Sequence, residues 1–305
     1  MNTHPTIIPD LHVGHGYQYG ALTWFPVWTT TPERERRYRT DVDLLGVSEL
    51  DDAYVPQLEV TNPTDNPIVV FEGSVFEGGF QNRNLTRTSI IPAGASTCVP
   101  VVCVEAHRWG GETLRHRVGD RMAPSRVRAA SRGIIRTEGG SVVRGRTDQN
   151  RVWDEVRSYS SRHNLHSDTE SMVDLDDAIA RGEGHLPEVQ ALPGQRGVIV
   201  AALGQPMAME LFDHHETLCE KLTEILHGFR LDVFGLPFVE TPARRAILFA
   251  ERITKLGLER DIEEATPGVL RSPKNQYVAT DAVALDDDLL HLSTLNTRHE
   301  LVLAA

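Results

Sequence analysis

The run Cys98-Val99-Pro100-Val101-Val102-Cys103-Val104 decides how this chain reads. It is almost wholly apolar. A strand of that composition is expected to be buried on both faces. It runs directly into Glu105-Ala106-His107-Arg108-Trp109, so a polar set emerges where a buried strand ends. Strand ends are where a sheet delivers side chains into a cleft.

Upstream of this strand the chain reads as strands and turns. Val55 to Val60 precedes Thr61-Asn62-Pro63-Thr64-Asp65-Asn66-Pro67, a dense group of turn formers, and Ile68 to Phe71 with Ser74 to Phe76 follows. The pattern predicts a hairpin. Pro92-Ala93-Gly94 predicts another turn. Downstream, residues 110 to 148 are rich in Gly, Ser and Arg with no clear period, which predicts a long Arg-rich loop.

The second half is more helical. Asp148 is expected to cap a helix with Val152, Val156 and Tyr159 on one stripe. Ser167 with Glu170 resembles a capping box, leading into Met172 to Ala180 and stopped by Gly182. Gly197 to Leu203 reads as a short buried strand. Asp213 with Glu216 opens a helix whose stripe is Leu218, Leu222, Ile225 and Phe229. Thr241-Pro242 opens another, with Ala246, Ile247, Ala250 and Ile253 inward and Gly257 as the stop. Tyr277 to Leu285 and Leu289 to Leu295 form a final hairpin around Asp286-Asp287-Asp288. The expected fold class is α+β, a β-rich N-terminal half packed with a helix-containing C-terminal half. All 305 residues are read as one compact domain.

Composition narrows the function classes. With 40% hydrophobic and 24% charged residues the chain is globular rather than disordered. A net charge of -12 argues against general nucleic-acid binding. The 3 cysteines lack CxxC spacing, so neither a disulfide framework nor a structural zinc site is expected. No residue set has metal-ligand spacing: His214 and His215 are adjacent, about 100° apart on a helix, and the other histidines are scattered. There is no signal-peptide pattern and no apolar run long enough to span a bilayer, so no membrane association and a cytoplasmic location are expected.

Two motifs carry candidate chemistry. In the first, Gly78-Gly79 permits a sharp bend or a close ligand approach, and Gln81, Asn82 and Arg83 present donors beside it. The bland alternative is a β-bulge with solvated polar residues. In the second, Glu105 is the candidate general acid/base, Arg108 an anion clamp and Trp109 a stacking wall. The bland alternative is a Glu105–Arg108 ion pair beside a core tryptophan. Cys103 and His107 suggest a nucleophilic pair, yet the apolar surroundings of Cys103 would raise its pKa. The Arg-rich stretch, Arg108, Arg115, Arg117, Arg121, Arg126, Arg128, Arg132, Arg136, Arg144, Arg146 and Arg151 against Glu112, Asp120, Glu138 and Asp148, would set up a local positive field for an anionic ligand or partner; the bland alternative is a disordered, merely soluble loop.

Together, Glu72-Gly73…Gly78-Gly79-x-Gln81-Asn82-Arg83 and Cys103-Val104-Glu105-x-x-Arg108-Trp109 resemble the ARPP-1 domain, the ADP-ribosylglycohydrolase- and rhodanese-phosphatase-associated protein domain. Gln149 with Trp153, the Gly197 strand, Leu211-Phe212-Asp213 and a last strand holding His291 fit too. The resemblance covers roughly residues 10 to 297 and implies an association with NAD and ADP-ribose metabolism, with no reaction attached. On that basis Gly78, Gly79, Gln81, Asn82, Arg83, Arg108 and Trp109 are the candidate ligand-binding residues and Glu105 the candidate catalytic one. The expected partner is an anionic small molecule such as ADP-ribose, NAD or a related nucleotide; the cofactor is unknown. The alternative is a non-enzymatic interaction module docking through the Arg-rich loop. The ligand reading requires Gln81, Arg83, Glu105 and Arg108 to converge on one concave pocket; if they are dispersed or face solvent, the interaction module gains.

Overall fold

The computed structural model describes residues 8–50, 55–108, 110–111, 113–183, 186–256, 258, 262–264, 268–285 and 288–303. Two β-systems dominate this α+β fold. The strands Ser96–Cys103, Gln57–Thr61, Gly46–Ser48, Arg115–Met122, Ser74–Gly78 and Arg83–Leu85 close, in that order, into a barrel. An antiparallel sheet runs Leu11–Val13, Leu22–Thr29, Gly197–Ala202, Gln205–Phe212, Asp288–Asn296, Val278–Leu285, Val269–Arg271, Ile262–Glu264, with Tyr17–Tyr19 also paired to Leu22–Thr29. The helices are α1 (Ser125–Ser131), α2 (Gln149–His163), α3 (Met172–Glu183), α4 (His215–Gly228), α5 (Arg230–Val233) and α6 (Ala243–Thr254). Among the described residues no helix is long and apolar enough to cross a membrane.

The sheet is covered on both faces. Val198, Val200 and Ala202 pack with Leu218, Leu222 and Ile225 of α4. Ile199 and Ala201 point the other way, against Ala246, Phe249, Ala250 and Ile253 of α6. Strict alternation along one strand therefore serves two cores, which is why Gly197–Ala202 is buried throughout. The strand Ser96–Cys103 and its exit do the same. Val99 and Val101 enter a cluster with Leu58, Phe76 and Leu85, whereas Val102 and Val104 face Val152, Val156 and Tyr159 of α2. The double burial begins only at Val101, since Cys98 is exposed.

Several expected elements are present. Asp148 caps α2, accepting from the Asn150 N–H at 3.0 Å, and Val152, Val156 and Tyr159 are its buried stripe. The final hairpin pairs Val278–Leu285 with Asp288–Asn296; Asp286 and Asp287 of its turn lie outside the described residues, as does Gly257.

Other expectations are corrected. The turn after Gln57–Thr61 exists, tied down by Asn62 donating to the Asn66 and Ile91 carbonyls. The strands it joins do not pair with each other. Gln57–Thr61 lies between Ser96–Cys103 and Gly46–Ser48, and Ile68–Val70 pairs with Ser89–Ile91. Gly73, at φ +91°, separates Ile68–Val70 from Ser74–Gly78. Before α3, Ser167 accepts from the Ser171 N–H at 2.8 Å, ahead of the helix's first residue, while Glu170 turns to Arg157; the helix passes Gly182 and ends at Glu183. On α6, Phe249 takes the inward place expected of Ile247, which is 42% exposed.

The largest correction is the Arg-rich loop. Residues 110–148 hold the barrel strand Arg115–Met122, helix α1 and a hairpin of Ile134–Arg136 with Val142–Arg144. The strand hides its period because polar His116 points inward and a register shift falls between Val118 and Met122. Helix α1 hides its inner face because that face carries Arg128, which is wholly buried.

Candidate functional site

The two sequence motifs meet. Gly78 (φ +106°) and Gly79 (φ +51°) turn the chain out of Ser74–Gly78, and a Cβ on Gly79 would stand 2.0 Å from His116 Nε2. The bend brings the following polar residues against the exit of Ser96–Cys103. Gln81 Nε2 donates to the Glu105 carbonyl at 2.8 Å, and its Oε1 accepts from Arg83 Nη1 at 3.1 Å and from the Cys103 thiol at 2.9 Å. Asn82 Oδ1 accepts from the Gly78 N–H at 2.9 Å. Arg83 is wholly buried and pairs with Glu49 at 3.2 Å, and His116 stands 3.1 Å from the same carboxylate oxygen. Trp109 lies outside the described residues.

Glu105 is the hub of this clasp. Its Oε1 accepts from Arg108 Nε at 2.8 Å and the Thr169 hydroxyl at 2.8 Å. Its Oε2 accepts from Arg108 Nη2 at 2.7 Å and the Asn82 N–H at 3.0 Å. Four donors occupy both oxygens, about as many as a carboxylate accommodates. Burial alone would raise the Glu105 carboxyl, but the Arg108 fork and the Asn82 and Thr169 donors bring it below its ordinary value. Arg108 is equally committed, with Nη1 on the Gly79 carbonyl at 2.7 Å and Nη2 on the Gly78 carbonyl at 3.2 Å. In this arrangement the pair pins the Gly-Gly bend to the strand exit. Cys103 is buried, and its desolvated thiol is pushed up to about 11, far from a nucleophile's range. His107 instead lies 3.3 Å from Glu170.

A second polar assembly lies between the barrel and the sheet. Arg128 donates to Glu72 Oε2 at 2.7 Å, Glu210 Oε1 at 2.6 Å and the Ser293 hydroxyl at 2.8 Å. Arg132, one turn on, pairs with Glu72 and lies 3.5 Å from Asp281 Oδ2. Asp281 also takes the Arg144 guanidinium and the Ser272 hydroxyl. Burial would raise the Glu210 and Asp281 carboxyls, but the facing arginines hold each down at about 2. Thr88, His291 and Glu210 form a hydroxyl–imidazole–carboxylate chain, 2.8 and 3.0 Å between partners. His291 is enclosed by Phe71 and Phe212, and Thr88 accepts from the Glu72 N–H, so the chain is internal bracing.

On the outer side of this assembly the structure opens into a pocket of about 290 Å³. Its wall holds Arg87 and Thr86 after Arg83–Leu85, Ser131 and Arg132 at the end of α1, Arg144, Arg146 and Thr147 leaving the hairpin, and Leu270. Among the described residues no carboxylate lines it. Arg132 is fully buried behind it, its guanidinium turned onto Glu72 and Asp281. Such a wall favours an anion, because guanidinium groups present only donors and a fixed positive field. A mixed-charge cleft of about 270 Å³ elsewhere is closed across by Arg121, which bridges Glu77, Asp176 and Asp177. Among the described residues no group of His, Cys, Asp or Glu stands ready to hold a metal.

The family model described as "ARG and Rhodanese-Phosphatase-superfamily-associated Protein domain" matches residues 10–295. The chain belongs to the ARPP-1 family. That match spans the barrel, the sheet, the clasp and the arginine pocket alike. No curated protein and no solved structure matches the chain significantly.

The pocket residues were not singled out by sequence reasoning as a site; Arg132, Arg144 and Arg146 entered only as part of a supposed loop. The legible signals were Glu210, one charge in the otherwise apolar strand Pro206 to Phe212, and Glu72 at the end of Ile68 to Phe71. Buried charges need partners, so each pointed to a buried cation.

Proposed function

We propose that this ARPP-1 domain binds a phosphorylated, nucleotide-type ligand of the NAD and ADP-ribose class in the arginine-lined pocket. The observation that carries the reading is the wall of Arg87, Arg144 and Arg146, backed by the buried Arg132, with no described carboxylate in the lining. Arginine suits phosphate because its planar fork matches two oxygens at once. The family's description supports the ligand class, since its ARG part, the ADP-ribosylglycohydrolases, is named for ADP-ribose. On this reading Gln81, Asn82, Arg83, Glu105 and Arg108 hold the barrel's exit in shape rather than touching the ligand. Docking through a basic loop is the weaker alternative, because Arg128 and Arg132 are turned into the protein and paired with carboxylates. A thermal-shift screen of NAD, ADP-ribose, AMP and nucleotide sugars tests the proposal. A bound ligand at about one hundred times its Kd stabilises by about 2.7 kcal/mol. The expected result is a rise in melting temperature with at least one phosphorylated member. No rise with any of them counts against the proposal.

A further inference from the structure

The polar groups in the wall of the arginine pocket fall into two hydrogen-bonding classes. The guanidiniums of Arg144 and Arg146 can only donate, and Arg132 behind them spends its own donors on Glu72 and Ser293. The hydroxyls have already committed their protons to the backbone. Thr86 donates to the Pro100 carbonyl at 3.2 Å and Thr147 to the Ser131 carbonyl at 2.8 Å. Ser131 donates to the Val127 carbonyl at 2.7 Å and accepts from Asn84 at 3.0 Å. Thr86 and Thr147 therefore meet a ligand only as acceptors. A wall of fixed donors beside fixed acceptors suits a molecule that carries both anionic oxygens and hydroxyl groups. An isolated orthophosphate would satisfy the arginines and leave the threonines with little to accept. The chemistry that satisfies both is a phosphorylated sugar.

Two further features say which part of a nucleotide enters. Among the described residues no aromatic side chain lines the pocket, so nothing there stacks on a base. Its volume, about 290 Å³, lies at the small end of ligand sites, which run to roughly 1,000 Å³. We infer that the pocket takes the ribose-phosphate end of its ligand and leaves the base outside. This rests on the assignment of the pocket as the anion site.

The test is calorimetric titration of the full chain with ribose 5-phosphate, orthophosphate and adenosine, on wild type, Arg146→Ala and Thr86→Val. The melting temperature of each variant is recorded alongside. Ribose 5-phosphate is expected to bind at least about tenfold more tightly than orthophosphate, as one or two extra hydrogen bonds would give. Adenosine should neither bind nor compete. Thr86→Val should cut the affinity for ribose 5-phosphate roughly three- to tenfold and leave that for orthophosphate unchanged. Arg146→Ala should weaken both phosphorylated probes. Equal affinity for the two phosphorylated probes, competition by adenosine, or an intact preference in Thr86→Val overturns the inference and leaves the anion site standing. Failure of both phosphorylated probes to bind overturns the anion site as well.

Discussion

Arg144 reaches from its hairpin onto Asp281 in the central sheet, its Nη2 donating to Oδ2 at 3.0 Å. Arg132 approaches the same carboxylate from α1. One buried carboxylate thus fixes two arginines at a single wall before any ligand arrives, Arg132 wholly buried behind it and Arg144 partly exposed. Such preorganisation lowers the entropy cost of binding. Asp281→Asn keeps the size of the side chain and removes its charge. Weaker binding of phosphorylated ligands is expected, together with a loss of several kcal/mol of stability, because Arg144 loses its counter-charge and Arg132 keeps only Glu72. Denaturant unfolding and titration of the folded fraction read the two effects separately. Unchanged unfolding and unchanged affinity would show that the carboxylate orients neither arginine.

The Glu105–Arg108 pair is expected to behave as architecture. Arg108→Ala leaves a buried carboxylate without its main cation and frees the Gly78 and Gly79 carbonyls. The cost should be about 3 kcal/mol, at the low end for breaking a buried pair because Arg108 is partly exposed. Ligand affinity of the folded protein should be unaltered. Wild-type stability with weakened binding would return the ligand site to this motif.

Asp232 sets a pH dependence with an unusual sign. It is fully buried and accepts from the Ser125 N–H and hydroxyl and from Tyr159, and among the described residues no cation pairs with it. Burial raises it from 3.8 to about 6. A carboxyl raised on folding makes the native state bind more protons between those values. Its contribution is therefore present at pH 4 and is lost as pH rises through 6, about 3 kcal/mol in all. Glu210 and Asp281, held at about 2, act oppositely: their contributions are full above about pH 4.5 and are lost as pH falls toward 2. The difference in unfolding free energy between wild type and Asp232→Asn should shrink as pH rises from 4 to 7. A constant difference would show that Asp232 titrates normally.

The Arg-rich segment should resist trypsin in the native protein. Arg128 and Arg132 are buried on α1, and the adjoining strand Arg115–Met122 is paired on both sides. Their backbone opens only with larger unfolding. Cleavage products mapped by mass spectrometry should lack early cuts after Arg128 and Arg132. Early cutting there would mean the segment is loose in solution.

What the sequence shows of the fold follows the hydrophobic period. Val152, Val156 and Tyr159, or Gly197 to Ala202, are legible because their burial is apolar. Arg115–Met122 and α1 are not, because their inward positions include His116 and Arg128, and a composition reading assigns such residues to solvent. Pairing partners fail for another reason: Gln57–Thr61 and Ile68–Val70 are adjacent in sequence but enter different sheets, the first in the barrel between Ser96–Cys103 and Gly46–Ser48, the second paired with Ser89–Ile91, which the turn between them does not encode. The motifs about Gly78 and Glu105 were visible, and their meeting followed from both lying at strand ends. The pocket was hidden because its wall is drawn from separate segments whose arginines look alike on paper.

The most direct measurement is calorimetric titration of ADP-ribose into wild type and Arg146→Ala. Arg146 is exposed on the pocket wall, so the variant should melt with wild type. Loss of a charged hydrogen bond should weaken binding by about 1.5 to 3 kcal/mol. Binding at wild-type affinity in the variant, or no heat in either protein, would contradict the arginine pocket as the ligand site.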